Sequence, residues 1–152
     1  MKDEDLARRV AELLDGRTIA TAESCTAGRV AQVLASVEKA TEFVRGGLVA
    51  YQEWVKRDLL GVKAQSVLTE QAAAEMAVGA ARLLHADVTV ATTGVAGGDA
   101  QEGTPPGTVY IATSVNQRVT TAEHRFTGSP EQVCDRARHQ ALIDLIAALE
   151  PA

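Results

Sequence analysis

The sequence predicts an α/β domain. Short runs of β-branched or small apolar residues, typical of buried strands, alternate with longer segments whose apolar residues recur at helical spacing. The first strand-like run, 18–22, leads directly into a helix-like segment, which favours a layered α/β arrangement over a helical bundle. The length of 152 residues is close to the size of one typical domain, so we expect a single domain over 1–152.

The elements of the first half follow from apolar spacing and from punctuating residues. Leucines and valines at helical spacing predict a helix over 3–15 that ends near Gly16. After the strand over 18–22, Ser24 and Thr26 are expected to cap the next helix. The elements that follow are a strand over 46–51 and a short helix that stops at Gly61.

The second half begins with an alanine-rich helix and continues into strands. The predicted elements are a helix from Thr69 to about His85, a strand over 87–93, a Gly/Pro-rich loop over 94–107 and a hairpin of strands 108–114 and 119–126. The last helix begins at Pro130, with inward-facing side chains at Val133, Ala137, Ala141, Leu142, Leu145 and Ile146. A loop as long as 94–107 within a compact domain is more often functional than idle.

Composition and charge argue against several classes of protein. Aromatic residues make up only 3% of the chain, too few for the stacking platforms of single-strand-binding proteins. A net charge of −5, with no basic run longer than Lys56-Arg57, gives no support for nucleic-acid binding. No apolar stretch approaches the ~20 residues that span a bilayer, and the acidic start is unlike a secretory signal. Cys25 and Cys134 lack metal-ligand spacing, so we expect reduced thiols in a cytoplasmic protein.

The first candidate for chemistry is Ser24, at a strand-to-helix junction. Backbone N–H groups at a helix start favour an anion or a developing oxyanion, so a serine there could act as a nucleophile. The alternative is that Ser24 merely caps the helix. Cys25 competes as a nucleophile, but a small buried side chain is the simpler interpretation of that position.

The second candidate combines Tyr51, at a strand end, with Lys56 in the next helix. A serine nucleophile needs a proton acceptor, which a lysine desolvated enough to be neutral can supply, while Tyr51 could relay or donate a proton. The alternative is a solvated helix lysine beside a strand-end tyrosine. The histidines at 85, 124 and 139 are expected to be structural or solvated, and the absence of metal-ligand spacing disfavours a metal site.

The third candidate is the glycine-rich loop that follows Thr93. Gly94, Gly97 and the glycines further along the loop, up to Thr108, could let backbone amides approach a phosphate or another anion. The pattern matches neither the lysine-bearing nucleotide loop nor the dinucleotide fingerprint. A turn-rich connection without a ligand is an equally good interpretation.

Taken together, these motifs resemble those of the CinA C-terminal domain family, which includes stand-alone nicotinamide-nucleotide amidohydrolases of the PncC type. The resemblance extends from about residue 5 to residue 149. It is carried by segments 20–28, 46–51 with Lys56, 60–62, 93–97 and 106–109. The serine motif Ala22-Glu23-Ser24-Cys25-Thr26-Ala27-Gly28 is the most specific of them.

The resemblance implies a fold and an activity. The expected fold is a three-layer α/β/α domain with a mixed, mostly parallel sheet. The expected reaction is deamidation of nicotinamide mononucleotide to nicotinate mononucleotide and ammonia, a step of pyridine-nucleotide salvage, without a metal or organic cofactor. The expected partner is a small nucleotide substrate rather than nucleic acid or membrane, and a homo-oligomer is compatible with the sequence.

The resemblance also assigns roles to residues of this chain. Ser24 is expected to attack the carboxamide, with Lys56 as its base, directly or through Tyr51. The residues expected to contact the substrate are Cys25 and Thr26 (whose backbone would hold the oxyanion), Arg29, Thr93, Gly94, Gly97, Thr108 and Arg136. Arg29 and Arg136 are the basic groups expected nearest the substrate phosphate.

Several segments depart from the family's pattern. Gln52-Glu53-Trp54 and Ala27 replace residues that are usual there, and Gly98-Asp99 stands where the family has glycine-proline. The segment 126–130 lacks the family's arginine, and Cys134 occupies the position of another, which removes counter-charges for a phosphate. An alternative is therefore a catalytically altered or inactive nucleotide-binding or regulatory domain. A DNA-contacting competence partner is a third class, which the acidic charge disfavours.

Overall fold

The computed structural model describes residues 1–151, and its helices and strands follow the alternation expected from the sequence. In chain order they are α1 (Asp3–Leu14), β1 (Ile19–Glu23), α2 (Arg29–Ala35), a 3₁₀ turn (Ala40–Glu42), β2 (Val44–Val49), α3 (Glu53–Asp58), α4 (Glu70–Leu84), β3 (Val88–Gly94), β4 (Thr108–Val115), β5 (Arg118–Arg125) and α5 (Pro130–Leu149). No helix within residues 1–151 is both long and apolar enough to cross a membrane.

One mixed sheet organises the described residues, with strand order β2-β1-β3-β4-β5. Strand β1 pairs in parallel with β2 and with β3, whereas β3–β4 and β4–β5 are antiparallel pairs. Four of these five strands, β1, β2, β3 and β5, therefore run in the same direction, and β4 runs opposite to them. The predicted α/β class and the mixed, mostly parallel sheet are confirmed.

Helices cover both faces of the sheet, which gives the three layers. On one face, α1, α2 and α5 pack against Val88 and Val90 of β3 and the equivalent large side chains of β1 and β4. On the other face, α4 packs against Ala22, Ala91 and Ala112. Successive strand residues point to opposite faces, so β3 can present valines to one layer and alanine to the other. The small side chains allow the alanine-rich α4 to lie close to the sheet.

The start of α2 differs from the sequence prediction. Ser24 and Thr26 do not cap this helix: it begins at Arg29, and the residue before it, Gly28, has a left-handed backbone with no side-chain cap. The unpaired amide groups at the helix start are taken by the carboxylate of Glu23. The prediction was wrong because the long side chain of Glu23, at the end of β1, reaches these amides, which the shorter side chain of Ser24 does not.

The direction of the parallel strands places a set of loops together. The carboxyl ends of β1, β2 and β3 lie at one edge of the sheet, at Glu23, Val49 and Gly94. From β1 the chain continues to β2, which lies on one side of β1 in the sheet, whereas β3 lies on the other side. A crevice therefore opens between the loops that follow β1 and β3. Ligands of open α/β sheets bind at such switch points.

Candidate active site

A cavity of about 920 Å³ occupies this crevice. It brings together the three predicted catalytic residues: Ser24 follows β1, Tyr51 follows β2 and Lys56 projects from α3. The remaining wall combines the loop after β3 with the start of α5, through Gly94, Ala96, Gly97, Gln101, Glu102, Pro130, Glu131 and Cys134. Four different parts of the chain therefore meet around Ser24.

Ser24 sits in a turn that is anchored at both ends. It is 5% exposed, its N–H donates to the carbonyl of Thr92 at 3.1 Å, and its carbonyl accepts from the N–H of Ala27 at 3.0 Å. Ala27 and Gly28 both have positive φ, +48° and +93°, which turns the chain sharply before α2. The left-handed region costs a residue with a side chain about 1–2 kcal/mol, so the turn at Ala27 is held by its surroundings.

Glu23 is the residue that holds this turn. Its side chain is buried, and its carboxylate accepts five hydrogen bonds, from the hydroxyls of Thr21 and Thr26 and from the backbone N–H groups of Gly28, Val30 and Ala31. A negative charge at a helix N-terminus is also favoured by the helix dipole. Glu23 therefore ties β1, the serine turn and α2 into one unit.

Two backbone amides beside Ser24 have no hydrogen-bond acceptor among the described residues. Within residues 1–151, neither Cys25 N–H nor Thr26 N–H donates to an oxygen of another residue. The helix-start amides are different, because Glu23 already occupies them. The amides near Ser24 that lack a partner in the described chain thus belong to the turn and not to the first turn of α2.

Lys56 is buried, so the alternative of a solvated helix lysine is wrong. Its side chain is 4% exposed, although it lies on a helix of only six residues. Burial lowers the pKa of Lys56 below its usual value of 10.5, and the nearby Cys25, Glu53 and Glu102 oppose that shift. Within the described chain, no carboxylate lies within 4.0 Å of the ammonium and no hydrogen bond joins Lys56 to Ser24. The Lys56 amine therefore lies in the same cavity as the serine hydroxyl, with its pKa shifted in the direction that favours the neutral form.

Cys25 is poorly suited to compete with Ser24 as a nucleophile. Burial, reinforced by the neighbouring Cys134, raises the pKa of the Cys25 thiol to about 12. The Cys134 thiol donates to the carbonyl oxygen of Cys25 at 3.0 Å, so α5 contacts the serine turn at this point. Because the thiolate is the nucleophilic form of cysteine, Cys25 acts as a buried filler next to the serine.

Tyr51 lies at the mouth of the cavity and not in its interior. Its side chain is 66% exposed, and Trp54, one turn further on, is 64% exposed. An exposed phenol can contact a substrate ring that enters the cavity, since aromatic faces attract planar and cationic groups. The relay role predicted for Tyr51 stays a prediction.

The glycines of the third candidate line the cavity, but close packing accounts for them. A Cβ on Gly94 would lie 2.4 Å from the carbonyl oxygen of Thr108, and one on Gly97 would lie 2.3 Å from Cγ of Pro130. The first contact lets β4 approach the end of β3, and the second seats the loop on the start of α5. These glycines are therefore needed for close packing between segments of this chain, whether or not a ligand is bound.

Three of the predicted substrate contacts are buried beneath the cavity instead of lining it. The Thr26 hydroxyl is shared between Glu23 and Thr92, and the Thr93 hydroxyl donates to the carbonyl of Val67 at 2.8 Å. The Thr108 hydroxyl is buried without a hydrogen-bond partner among the described residues. The threonines thus lie beneath the site and support it through packing.

The two predicted arginines have different positions. Arg29 lines the cavity, donates to the carbonyl of Thr26 at 3.2 Å and lies 3.6 Å from Asp135. Arg136 does not line it: its guanidinium donates to the backbone and hydroxyl oxygens of Thr127. Only Arg29 is placed to meet a ligand in this cavity.

The histidines have the structural roles expected of them. His124 and His139 pair with Asp144 and Asp3 at 2.9 and 2.7 Å, and His85 is the exposed residue that ends α4. No group of three or more His, Cys, Asp or Glu residues able to hold a metal occurs within residues 1–151.

Comparison with known proteins gives one family and a consistent set of relatives. The family model described as the CinA C-terminal domain matches residues 3–149. Protein YdeJ of Escherichia coli is 36% identical over 159 aligned positions, which cover 97% of this chain and 92% of that protein. A CinA-like protein of Mycolicibacterium paratuberculosis is 40% identical over 144 positions, which cover 88% of this chain but 33% of that protein. The chain thus spans about a third of the length of several curated relatives it matches.

Solved structures of competence or damage-inducible proteins have the same fold as this chain. The competence or damage-inducible protein of Enterobacter asburiae superimposes with a TM-score of 0.95 at 32% identity, covering 99% of both chains. The competence/damage inducible protein CihA of Agrobacterium tumefaciens superimposes with a TM-score of 0.91 at 34% identity, covering 99% of this chain and 98% of the other. The similarity therefore includes the whole layered fold and the crevice at its edge.

Proposed function

The chain belongs to the CinA C-terminal domain family, and on that premise we propose that it is a serine amidohydrolase that deamidates nicotinamide mononucleotide. The products would be nicotinate mononucleotide and ammonia. The observation that carries the proposal is the placement of Ser24 and the buried amine of Lys56 in one cavity, beside two backbone amides that donate to no other residue of the described chain.

The proposed acylation begins with the neutral Lys56 amine. It accepts the Ser24 hydroxyl proton as the serine oxygen attacks the carboxamide carbon of the substrate. The negative charge that develops on the carboxamide oxygen is received by the N–H groups of Cys25 and Thr26. The protonated Lys56 then gives its proton to the departing nitrogen, so ammonia leaves and an ester to Ser24 remains.

Deacylation uses the same groups in the reverse order. Neutral Lys56 accepts a proton from a water molecule, which attacks the ester carbon, and the proton returns to the serine oxygen as nicotinate mononucleotide is released. Because Ser24 and Lys56 have no direct hydrogen bond in the described chain, proton transfer requires their approach on substrate binding or a relay. Tyr51, at the cavity mouth, is the candidate relay.

The test is ammonia release from nicotinamide mononucleotide by the wild type, Ser24→Ala and a matched control, Ser36→Ala. Ser36 is an exposed serine beyond the end of α2 that does not line the cavity. We expect release by the wild type and the control, and none above background by Ser24→Ala. Equal release by Ser24→Ala would refute the nucleophile. Ligand-dependent thermal stabilisation of the wild type without release would favour the inactive nucleotide-binding domain.

A further inference from the structure

The charges around the cavity are unfavourable for a phosphate. Three carboxylates line it, Glu53, Glu102 and Glu131, against the two basic side chains Arg29 and Lys56. Glu53 and Glu102 lie close enough to Lys56 to oppose the lowering of its pKa, and Glu131 and Asp135 lie close enough to Cys134 to raise that thiol's pKa. Carboxylates therefore face the cavity from both α3 and α5.

The basic groups are already engaged. Arg29 uses its guanidinium on the carbonyl of Thr26 and on Asp135, so its charge is partly neutralised before a ligand arrives. Lys56 is buried in a way that favours its uncharged form. Arg136, the other predicted phosphate contact, is directed to Thr127 outside the cavity lining.

The two helix starts that face the crevice offer little to an anion. At α2, the Glu23 carboxylate occupies the amides of Gly28, Val30 and Ala31. At α5, Ser129 accepts from the N–H of Gln132, Pro130 has no N–H, and the next side chain is Glu131. A phosphate would meet the Glu23 carboxylate at the start of α2 and the Glu131 side chain at the start of α5.

The same surroundings suit the other end of a nicotinamide nucleotide. Its pyridinium ring carries a fixed positive charge, which is attracted by Glu102 and by the carboxylate of Glu131, unpaired within the described residues. The charge of Glu53, in contrast, is paired with Arg57 at 3.0 Å. The exposed phenol of Tyr51 at the mouth offers an aromatic face to a cationic ring. Recognition would thus rest on the ring and its carboxamide, which is also the group that reacts with Ser24.

Resting on the amidase function proposed above, we infer that this site recognises the cationic pyridinium carboxamide and gains nothing from the phosphate. The nucleoside that lacks the phosphate, nicotinamide riboside, is then at least as good a substrate as the mononucleotide. Glu131 is the specificity-determining residue whose charge discriminates most directly between them, because within residues 1–151 its carboxylate forms neither a hydrogen bond nor an ion pair.

The experiment compares kcat/KM of the wild type for nicotinamide mononucleotide and for nicotinamide riboside at low ionic strength. We expect the nucleoside to equal or exceed the mononucleotide. A preference for the mononucleotide of about threefold or more would overturn the inference, since a phosphate subsite with charge-assisted bonds gives at least that much.

Two variants test whether Glu131 in the cavity causes the discrimination between the mononucleotide and the nucleoside. Glu131→Gln removes one carboxylate and is expected to raise the mononucleotide-to-nucleoside ratio about threefold, and Glu131→Lys is expected to raise it further. Glu4→Gln, an exposed carboxylate of α1 outside the cavity lining, is the matched control and leaves the ratio unchanged. An unchanged ratio in both Glu131 variants would also overturn the inference.

Failure of the amidase proposal is separable from failure of this inference. If neither compound releases ammonia, the amidase proposal fails, and calorimetric titration of the wild type with each compound then tests recognition alone. Equal or tighter binding of the nucleoside supports the inference. Tighter binding of the mononucleotide, or binding of neither compound, overturns it.

Discussion

At the scale of single residues, Lys56 has the most unusual surroundings in the site. A lysine ammonium is among the groups least often buried, because removing its charge from water costs several kcal/mol. Here it is 4% exposed, and no carboxylate of the described chain neutralises it at ion-pair distance. A structural role would be served better by an apolar side chain, so the burial of this amine argues for chemistry.

Replacement of Lys56 by methionine should therefore separate activity from stability. Lys56→Met keeps the length and apolar stem of the side chain and removes the base, so we expect kcat/KM for amide hydrolysis to fall about 10²–10⁴-fold. The free energy of unfolding should be unchanged or higher at pH 7, since a buried amine is removed. Lys63→Met, at an exposed position, is the control. Retained turnover in Lys56→Met would exclude the lysine from the mechanism.

The pH dependence of the reaction follows from the same residue. Burial lowers the pKa of Lys56 from 10.5, and the active form is the neutral amine, so kcat/KM should rise with pH along a limb centred below 10.5. The stability of the fold should depend on the same group. At pH values between the pKa of Lys56 in the folded chain and its pKa in the unfolded chain, the unfolded chain binds more protons. The free energy of unfolding therefore increases with pH in that range. An activity limb centred at or above 10.5 would contradict this assignment.

The sequence predicted Ser24, Tyr51 and Lys56 as candidate catalytic residues, but it did not predict which of these side chains are buried and which are exposed. Their positions after strands 1 and 2 and in the next helix were predicted from the sequence, whereas their convergence follows from the parallel strands, which end at a common edge of the sheet. That Lys56 is buried and Tyr51 exposed depends on how α3 packs, which local spacing does not encode. The unusual backbone of Ala27 and the raised pKa of Cys25 likewise arise only from tertiary contacts.

At the scale of elements, the junction between β1 and α2 depends on Glu23. The sequence predicted that serine or threonine would cap the helix, because short polar side chains usually do so. The glutamate reaches across the turn instead and satisfies two hydroxyls and three amides. A buried carboxylate with this many donors is readable only from the folded turn, since its partners extend from Thr21 to Ala31.

Substitution of Glu23 by glutamine should loosen this junction. Glutamine keeps the shape but loses the charge-assisted bonds, and its amide nitrogen cannot accept, so we expect a loss of about 2 kcal/mol or more in the free energy of unfolding. Amide hydrolysis should fall as well, because the turn that carries Ser24 is less well held. Glu38→Gln, an exposed position after α2, should stay within about 0.5 kcal/mol. Equal stability of the two variants, measured by denaturant unfolding, would show that Glu23 is not the anchor.

At the scale of the whole molecule, the cavity exists because distant parts of the chain close on one another. The loop after β3 reaches the start of α5 at Gly97 and Pro130, and β4 meets β3 at Gly94. The layered α/β class was predictable from alternating strands and helices and the three layers were implied by the family resemblance, whereas this closure was not predicted. Glycines that in sequence suggested phosphate contact are in the structure sites of close packing.

The contact between Gly97 and Pro130 offers a test of that closure. Gly97→Ala places a methyl group against the proline ring, so the loop must move and KM for the amide substrate should rise about three- to tenfold with the fold retained. Adding Pro130→Gly removes both the Cγ at 2.3 Å and the Cβ at 2.9 Å and should restore most of the loss in KM. Independent, additive effects of the two substitutions would show that the loop is not held in place through α5.

Identification of the acylated residue tests the proposed catalysis most directly. The wild type is mixed with nicotinamide mononucleotide, quenched in acid within the first turnovers, digested and mapped by tandem mass spectrometry. The expected result is an acyl group on the Ser24 oxygen, lost in Ser24→Ala together with product formation. An acyl group on Cys25, or product formation by Ser24→Ala at the wild-type rate, would contradict serine catalysis in this chain.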